Sequence, residues 1–208
     1  MSHASALRRQ PTTVPTDQRP ADAPWLSSPR STRFRTRQGE SALVALLQEP
    51  PIDWAIFPAG PNGPVFEHLV VGPGGVFTLT TRHSDGEWVW VDKDVVWVSG
   101  RRMAASGDAI VEADRVSALL RARIPLRVPV RPLIALLGAR FIVVRGRTPD
   151  LNVVDARELH FWLLGLSPVL RPAERMELAA VIDNPVTWGA RASVKRAVES
   201  SAVESSTG

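Results

Sequence analysis

Two strand-like runs joined by a glycine-rich turn carry the side chains of this sequence that could do chemistry. Glu67 lies near the start of the first run, Gly72-Pro73-Gly74-Gly75 forms the connection, and Arg82 follows the second run. Because the glycines permit the positive φ angles of a tight connection and no helix follows, we interpret the stretch as a β-hairpin with a structural turn, not a phosphate-binding loop. A carboxylate here could ligate a hard cation, and a guanidinium could hold a phosphate by two hydrogen bonds.

These runs resemble the nuclease-related domain (NERD) family, in which an acidic-His pair, an apolar run, Gly-Pro-Gly-Gly-Val-Phe and an acidic-x-Lys triplet recur. The matching segments are Glu67-His68, residues 69–71, residues 72–77 and Thr80-Thr81-Arg82. Gly39-Glu40 in an upstream helical segment and Val98-Ser99-Gly100 after a tryptophan-rich hairpin support the resemblance.

The resemblance implies a restriction-endonuclease-like core, whose members cut phosphodiesters with Mg²⁺, and therefore DNA or RNA as the partner. It places Glu67, Thr80 and Arg82 at the catalytic positions. It places Glu40, Glu67 and the backbone carbonyl of Thr81 at a one-metal site for Mg²⁺. A fold alone does not establish an activity, so the chemistry of these residues decides what is expected.

The residues at the triplet lower the expected activity. In a strand, residues two apart share a face, so an acidic-x-Lys triplet sets a metal ligand beside an ammonium that can orient or deprotonate the attacking water. Here Thr80 puts a neutral hydroxyl at the acidic position, and Arg82 cannot lose its proton. Glu67 keeps the charge of the acidic-His position, although its longer side chain moves the oxygens. We therefore expect a degenerate active site that hydrolyses weakly or not at all, with nucleic-acid binding through Arg82 retained.

The same charged residues also have structural interpretations. Glu40 would suit the N-terminus of a helix, where a carboxylate interacts favourably with the macrodipole. Glu67 and Arg82 would pair across neighbouring strands, which contributes under about 1 kcal/mol when the pair is exposed.

The chain has no cysteine, which excludes disulfides, thiolate metal sites and thiol nucleophiles. A metal must then use oxygen or histidine nitrogen, and an alternative site would combine His68 and His83 with Asp85, although their spacing is not that of a ligand motif. Residues 1–30 lack the apolar stretch of a secretory signal, and no apolar run approaches the roughly 20 residues of a membrane helix. We expect a cytoplasmic protein without a membrane partner.

Trp88, Trp90 and Trp97 alternate with valines, and the period of two puts Trp88 and Trp90 on one face of a strand. Such rings could stack on the bases of a single strand. The structural alternative is that they pack against each other or against a covering helix.

Positive charge is concentrated near the N-terminus. The formal net charge is +4, and residues 1–37 hold seven arginines against two aspartates, so the remainder of the chain is close to neutral. The Pro, Ser, Thr and Arg composition predicts a flexible basic arm. Arg33, Arg35 and Arg37 at its end could hold a polyanion without sequence preference. The alternative is a solubilising tail.

Hydrophobic periodicity gives the remaining elements. Helices are predicted over residues 38–48, 108–123, 155–165 and 172–183, and strands over 54–57, 65–71, 76–81, 87–91, 95–98, 131–137 and 140–144. The first five strands are predicted to form one antiparallel meander, and Asp155 with Glu158 predicts a capping arrangement for the third helix. This order predicts an α/β (α+β) fold with a mixed, largely antiparallel sheet flanked by helices.

We expect four segments: a flexible basic arm over 1–36, a NERD-like α/β domain over 37–165, a helical extension over 166–192 and a disordered tail over 193–208. The alternative function is a non-catalytic module on a nuclease scaffold that binds nucleic acid or, through its hairpin or its last helix, an unknown protein partner. Convergence of Glu40, Glu67 and Arg82 in one open cleft would favour the nuclease, whereas their separation or their burial in a mutual salt bridge would favour the scaffold.

Overall fold

The computed structural model describes residues 29–59, 66–146 and 150–188 of the 208-residue chain. Within these segments the chain forms helices, strands and a final 3₁₀ turn. In order they are α1 (Pro29–Gln48), β1 (Ala55–Pro58), β2 (His68–Gly72), β3 (Gly75–His83), β4 (Trp88–Asp92), β5 (Val95–Val98), β6 (Arg101–Arg102), α2 (Ala105–Arg121), β7 (Val130–Leu137), β8 (Phe141–Gly146), β9 (Asn152–Asp155), α3 (Leu159–Leu164), α4 (Pro172–Asp183) and the turn Pro185–Trp188.

The strands form two mixed sheets. The first has the order β1-β2-β3-β7-β9, in which β2 pairs antiparallel with β1 and β3, while β7 pairs parallel with β3 and β9. The second has the order β6-β5-β4-β8, with β4 and β8 parallel and the other pairs antiparallel. The α/β (α+β) fold class expected from the sequence, with mixed sheets flanked by helices, is confirmed, although the strands form two sheets and three of the seven strand pairs are parallel.

The first sheet is covered on both faces. Phe77 and Leu79 of β3 pack in one cluster with Leu46 of α1 and Leu163 of α3. Val76 points to the opposite side, where it packs with apolar residues of α2 and α4. Strand β7 is buried along almost its whole length, which explains why its sequence is a continuous apolar run without alternation.

The second sheet packs one face against the first. Val89, Val91 and Val96 form a buried cluster with Ile134 and Leu136 of β7. The side chains that alternate with these valines therefore point away from the core.

The predicted single meander is wrong. Strands β1 to β3 do form an antiparallel unit, but β3 then pairs with β7 in parallel, and β4 begins the second sheet. The two strands predicted over 131–137 and 140–144 likewise fall in different sheets. Local periodicity cannot assign these partners, because the two strands of each parallel pair are far apart in sequence.

Two predicted helix starts are also wrong. Helix α1 begins at Pro29, so residues 29–36, which we had assigned to the arm, are helical. The rest of the arm and the predicted tail lie outside the described residues. Residues 152–155 form β9 on the edge of β7, and α3 starts only at Leu159. Glu158 makes no side-chain capping bond there, and the Asp155 carboxylate accepts hydrogen bonds from the N–H and the guanidinium of Arg157.

The predictions for α2 and α4 are confirmed, including Pro172 at the first position of α4. Val111 of α2 is 69% exposed, and the buried face of this helix includes Ala109 and Glu112. Within the described residues, no helix combines the length and apolar character that a membrane span requires.

Candidate functional site

The glycine-rich turn is a structural hairpin, as predicted. Gly72 pairs with Gly75, and a Cβ atom on Gly72 would overlap the indole of Trp54. A Cβ atom on Gly74 would lie 2.5 Å from the Cβ of Leu166. The carbonyl of Gly74 accepts a hydrogen bond of 2.9 Å from Arg131, so the turn is fastened to β7. Close packing accounts for the glycines at these two positions.

Glu67 lies just before β2, next to the part of β3 with which β2 does not pair. The pairing of β2 with β3 begins at His68 opposite Leu79, and the Glu67 backbone N–H still donates to the Leu79 carbonyl. Further along β3, the carboxylate of Glu67 replaces the missing backbone partner. It accepts a 3.1 Å hydrogen bond from the N–H of Thr81 and one from the Thr81 hydroxyl, which lies 2.8 and 2.7 Å from the two carboxylate oxygens.

Arg82 contacts the same two residues. Its Nη1 donates a 2.7 Å hydrogen bond to the Thr81 carbonyl and lies 3.9 Å from Oε1 of Glu67. The side chains are 35% exposed for Arg82 and 39% for Glu67, so this ion pair contributes under about 1 kcal/mol. The Thr81 carbonyl, which the family resemblance places at the metal site, therefore carries a guanidinium hydrogen bond.

Glu40 lies on the exposed side of α1, while its neighbour Gly39 faces Leu137 and Ala156 of the core. Glu67 and Arg82 lie together in the structure, as the sequence predicts. Across residues 29–59, 66–146 and 150–188, no group of three or more histidine, aspartate or glutamate side chains is placed to hold a metal ion. That finding also covers the alternative site with His68 and His83.

Thr80 faces the other side of the sheet from Thr81. Together with Thr78 and Arg82 it lines a narrow crevice against α2, which has no room for a water molecule. Thr80 is only 4% exposed. The residue that the resemblance aligns with the acidic position of the triplet therefore carries a hydroxyl that is buried against a helix.

Glu112 of α2 lies in this crevice and was not singled out from the sequence. It is 6% exposed, and its Oε2 lies 3.5 Å from Nη1 of Arg115. Among the described residues, its Oε1 and the Oγ1 of Thr78 have no hydrogen-bond partner. The available signal was position, since Glu112 stands three residues after Ala109 and one before Ala113 on the buried stripe of α2.

His68 lies beside Glu67 at the start of β2. Burial lowers the pKa of His68 below its ordinary value of 6.5, and the neighbouring charge of Glu67 opposes this shift. Its Nδ1 is buried and has no hydrogen-bond partner in the part of the chain that the structure describes. The folded protein therefore favours the neutral imidazole.

An open cleft of about 440 Å³ includes His83, the residue after Arg82, in its lining. It is formed by the end of β3 and the β5–β6 hairpin, whose turn residues Ser99 and Gly100 have φ angles of 46° and 81°. In a two-residue hairpin turn, positive φ angles at both positions give a backbone twist that matches the twist of the flanking strands. The lining residues are His83, Glu87, Val98, Ser99, Arg101, Arg102 and Met103. Arg101 and Arg102 are exposed, and sequence analysis did not identify them as binding residues.

The predicted nucleic-acid-binding arginines of α1 are not equivalent. Arg33 and Arg37 are exposed and stand one helical turn apart, so they share a face. Arg35 is half-buried, on the side of α1 where Thr32 and Thr36 contact the glycines of two turns. Among the described residues, its Nε and Nη2 have no hydrogen-bond partner.

Comparison with family models, curated proteins and solved structures finds no match for this chain. The hydrogen bonds, burial and charge around Glu67, Thr81 and Arg82 therefore carry the functional argument, together with the motif resemblance.

Proposed function

We propose that this chain is a NERD-related domain, derived from metal-dependent phosphodiester hydrolases, that binds nucleic acid in the cytoplasm and hydrolyses it weakly or not at all. The observation that carries the proposal is the engagement of Glu67 by Thr81. Glu67 stands at the position of the family's acidic-His pair, and both of its carboxylate oxygens hold the end of β3.

The residues at the implied Mg²⁺ positions do not fit a magnesium site as they stand. Mg²⁺ needs near-octahedral oxygen ligands at about 2.1 Å. Binding at Glu67 would displace Thr81, and binding at the Thr81 carbonyl would bring a divalent cation next to the guanidinium of Arg82. At the acidic position of the triplet, Thr80 faces a crevice that a water molecule does not enter. These contacts favour loss of the hydrolytic step.

Phosphate binding does not need the residues at the implied Mg²⁺ positions. Arg82 keeps about a third of its side chain exposed, and the neighbouring cleft presents Arg101, Arg102 and His83. Guanidinium groups hold phosphates by paired hydrogen bonds, and several of them along one surface produce salt-dependent affinity for a polyanion. Arg33 and Arg37 of α1 are also exposed and share one face of that helix.

Hydrolysis and binding can be tested on the same preparations. Labelled single- and double-stranded DNA and RNA are incubated with Mg²⁺ or Mn²⁺ and either the native protein or Glu67→Ala purified identically. We expect no cutting by either protein. Metal-dependent cutting that is present in the native protein and lost in Glu67→Ala would overturn the loss of hydrolysis.

Binding is measured by fluorescence anisotropy with Arg82→Gln, using Arg121→Gln as the matched control because Arg121 is exposed at the end of α2. We expect Arg82→Gln to weaken binding several-fold and to lower the slope of log affinity against log salt by about one. Absence of binding to any nucleic acid by the native protein would leave the protein-interaction scaffold as the function.

A further inference from the structure

The outer face of the second sheet is an aromatic surface edged with arginines. Strand register places Trp88 opposite Phe141, Trp90 opposite Trp97, and Trp97 opposite Arg102. Directly opposed residues point to the same face of a sheet. We call these residues, together with Arg145, the aromatic face.

The rings are held by one another and by guanidinium groups, and they do not form part of the core. The centroids of Trp88 and Phe141 are 4.7 Å apart, and the Cζ of Arg145 lies 4.3 Å from the centroid of Trp90. Trp97 is 40% exposed and Phe141 47%. Val89, Val91 and Val96, which alternate with the tryptophans, are buried on the other face, so the strands cannot turn over to hide the rings.

We propose that the aromatic face binds single-stranded nucleic acid by stacking bases on its rings. Charge complementarity selects this occupant, because Arg102 and Arg145 are exposed on the same face. A flat sheet with aromatic side chains stacks unpaired bases, as four-stranded sheets of RNA-recognition modules do with two or three bases. A guanidinium held over an indole offers a further plane for stacking, and its charge attracts the phosphates.

A duplex does not fit this face. Its bases are stacked on one another and expose only their edges, so they cannot reach aromatic rings that lie on a sheet. Arg102 also lines the open cleft at the end of β3, so a single strand on the aromatic face would lead toward that cleft and its Arg101. This inference rests on the proposed function, because both have nucleic acid as the ligand. It adds a second binding surface, which prefers single strands.

The test is fluorescence anisotropy of the full chain with labelled 12-nucleotide dT and U oligomers and with a duplex of the same length. The variants are Trp97→Ala, Trp97→Leu, Phe141→Ala and Arg145→Gln. Phe161→Ala is the control, because Phe161 is a 74% exposed ring on α3, away from the second sheet. Thermal unfolding and circular dichroism check that each variant folds.

We expect Trp97→Ala and Phe141→Ala each to weaken binding of the single strand by at least about five-fold. Trp97→Leu should be as weak as Trp97→Ala, because apolar bulk does not replace a stacking ring. Arg145→Gln should weaken binding and reduce its salt dependence, while Phe161→Ala should bind as the native protein does.

The failures are distinguishable. If the native protein binds nucleic acid but the Trp97 and Phe141 variants bind equally well, the aromatic face is overturned and the proposed function stands. If Arg82→Gln weakens duplex binding while the native protein does not bind single strands, the aromatic face is again overturned and the proposed function stands. If the native protein binds neither form, both proposals are overturned, and the face is left to a protein partner.

Discussion

Glu67 and Thr81 are joined through a side chain and the backbone at once, since one carboxylate accepts hydrogen bonds from both the N–H and the hydroxyl of the threonine. This contact closes the edge of β3 at the point where its pairing with β2 ends. The carboxylate that the family resemblance marks as catalytic therefore has a structural role in this chain, and its removal should change stability.

Replacing Glu67 by alanine should lower the free energy of unfolding by about 1.5–3 kcal/mol, because it removes charge-assisted hydrogen bonds and leaves the Thr81 N–H without its partner. Thr81→Val, which removes only the hydroxyl, should cost less. Urea unfolding at neutral pH measures both, and the double variant gives the coupling. Stability of Glu67→Ala within about 0.5 kcal/mol of the native value would rule out the structural role.

Placing a carboxylate at the triplet by Thr80→Glu should destabilise the fold by about 3 kcal/mol, because an unpaired charge would be buried beside Glu112 in a crevice with no room for a water molecule. Thr80→Gln is the matched neutral control and should cost less. Adding Glu112→Gln to Thr80→Glu should recover part of the loss. Unfolding curves of the four proteins test this, and equal stability of the glutamate and glutamine variants would contradict the buried-charge argument.

The sequence predicted the local elements of the fold well. The hairpin from residue 68 to 83, α2 and α4 follow from periodicity, glycine placement and Pro172, all of which act over a few neighbouring residues. The division into two sheets could not be predicted in this way. Whether β3 pairs with β4 or with β7 depends on packing between distant segments, and β9 is too short for its alternation to be recognised.

The candidate site could be predicted only where a motif marked it. The family pattern located Glu67 and Arg82, which do lie together, but a motif does not state which atoms its residues contact. Glu112 carries no motif, and one glutamate in an amphipathic helix is normally exposed. Arg101 and Arg102 gained importance only from the hairpin that sets them beside the end of β3.

Acid should destabilise this protein partly through His68. Burial lowers the pKa of His68 in the folded state, so below its ordinary value of 6.5 the unfolded chain takes up a proton that the folded chain resists. The stability contributed by the neutral imidazole is complete above pH 6.5 and is lost as the pH falls through the lowered pKa. His68→Gln should flatten the decline in stability below pH 6.5. Parallel native and His68→Gln profiles of unfolding free energy would contradict this.

Gly72→Ala should destabilise the hairpin because its methyl group would overlap the Trp54 indole, which is itself only 7% exposed. Overpacking of a buried contact costs about 1–3 kcal/mol. The matched control is Gly107→Ala in α2, where nothing lies within 4 Å of the added Cβ, and the better helix propensity of alanine should stabilise by about 0.5–1 kcal/mol. Opposite signs in urea unfolding are expected for the two substitutions. If both stabilise the protein, close packing of Trp54 does not explain the first glycine of the turn, and a direct functional need for it would have to be considered.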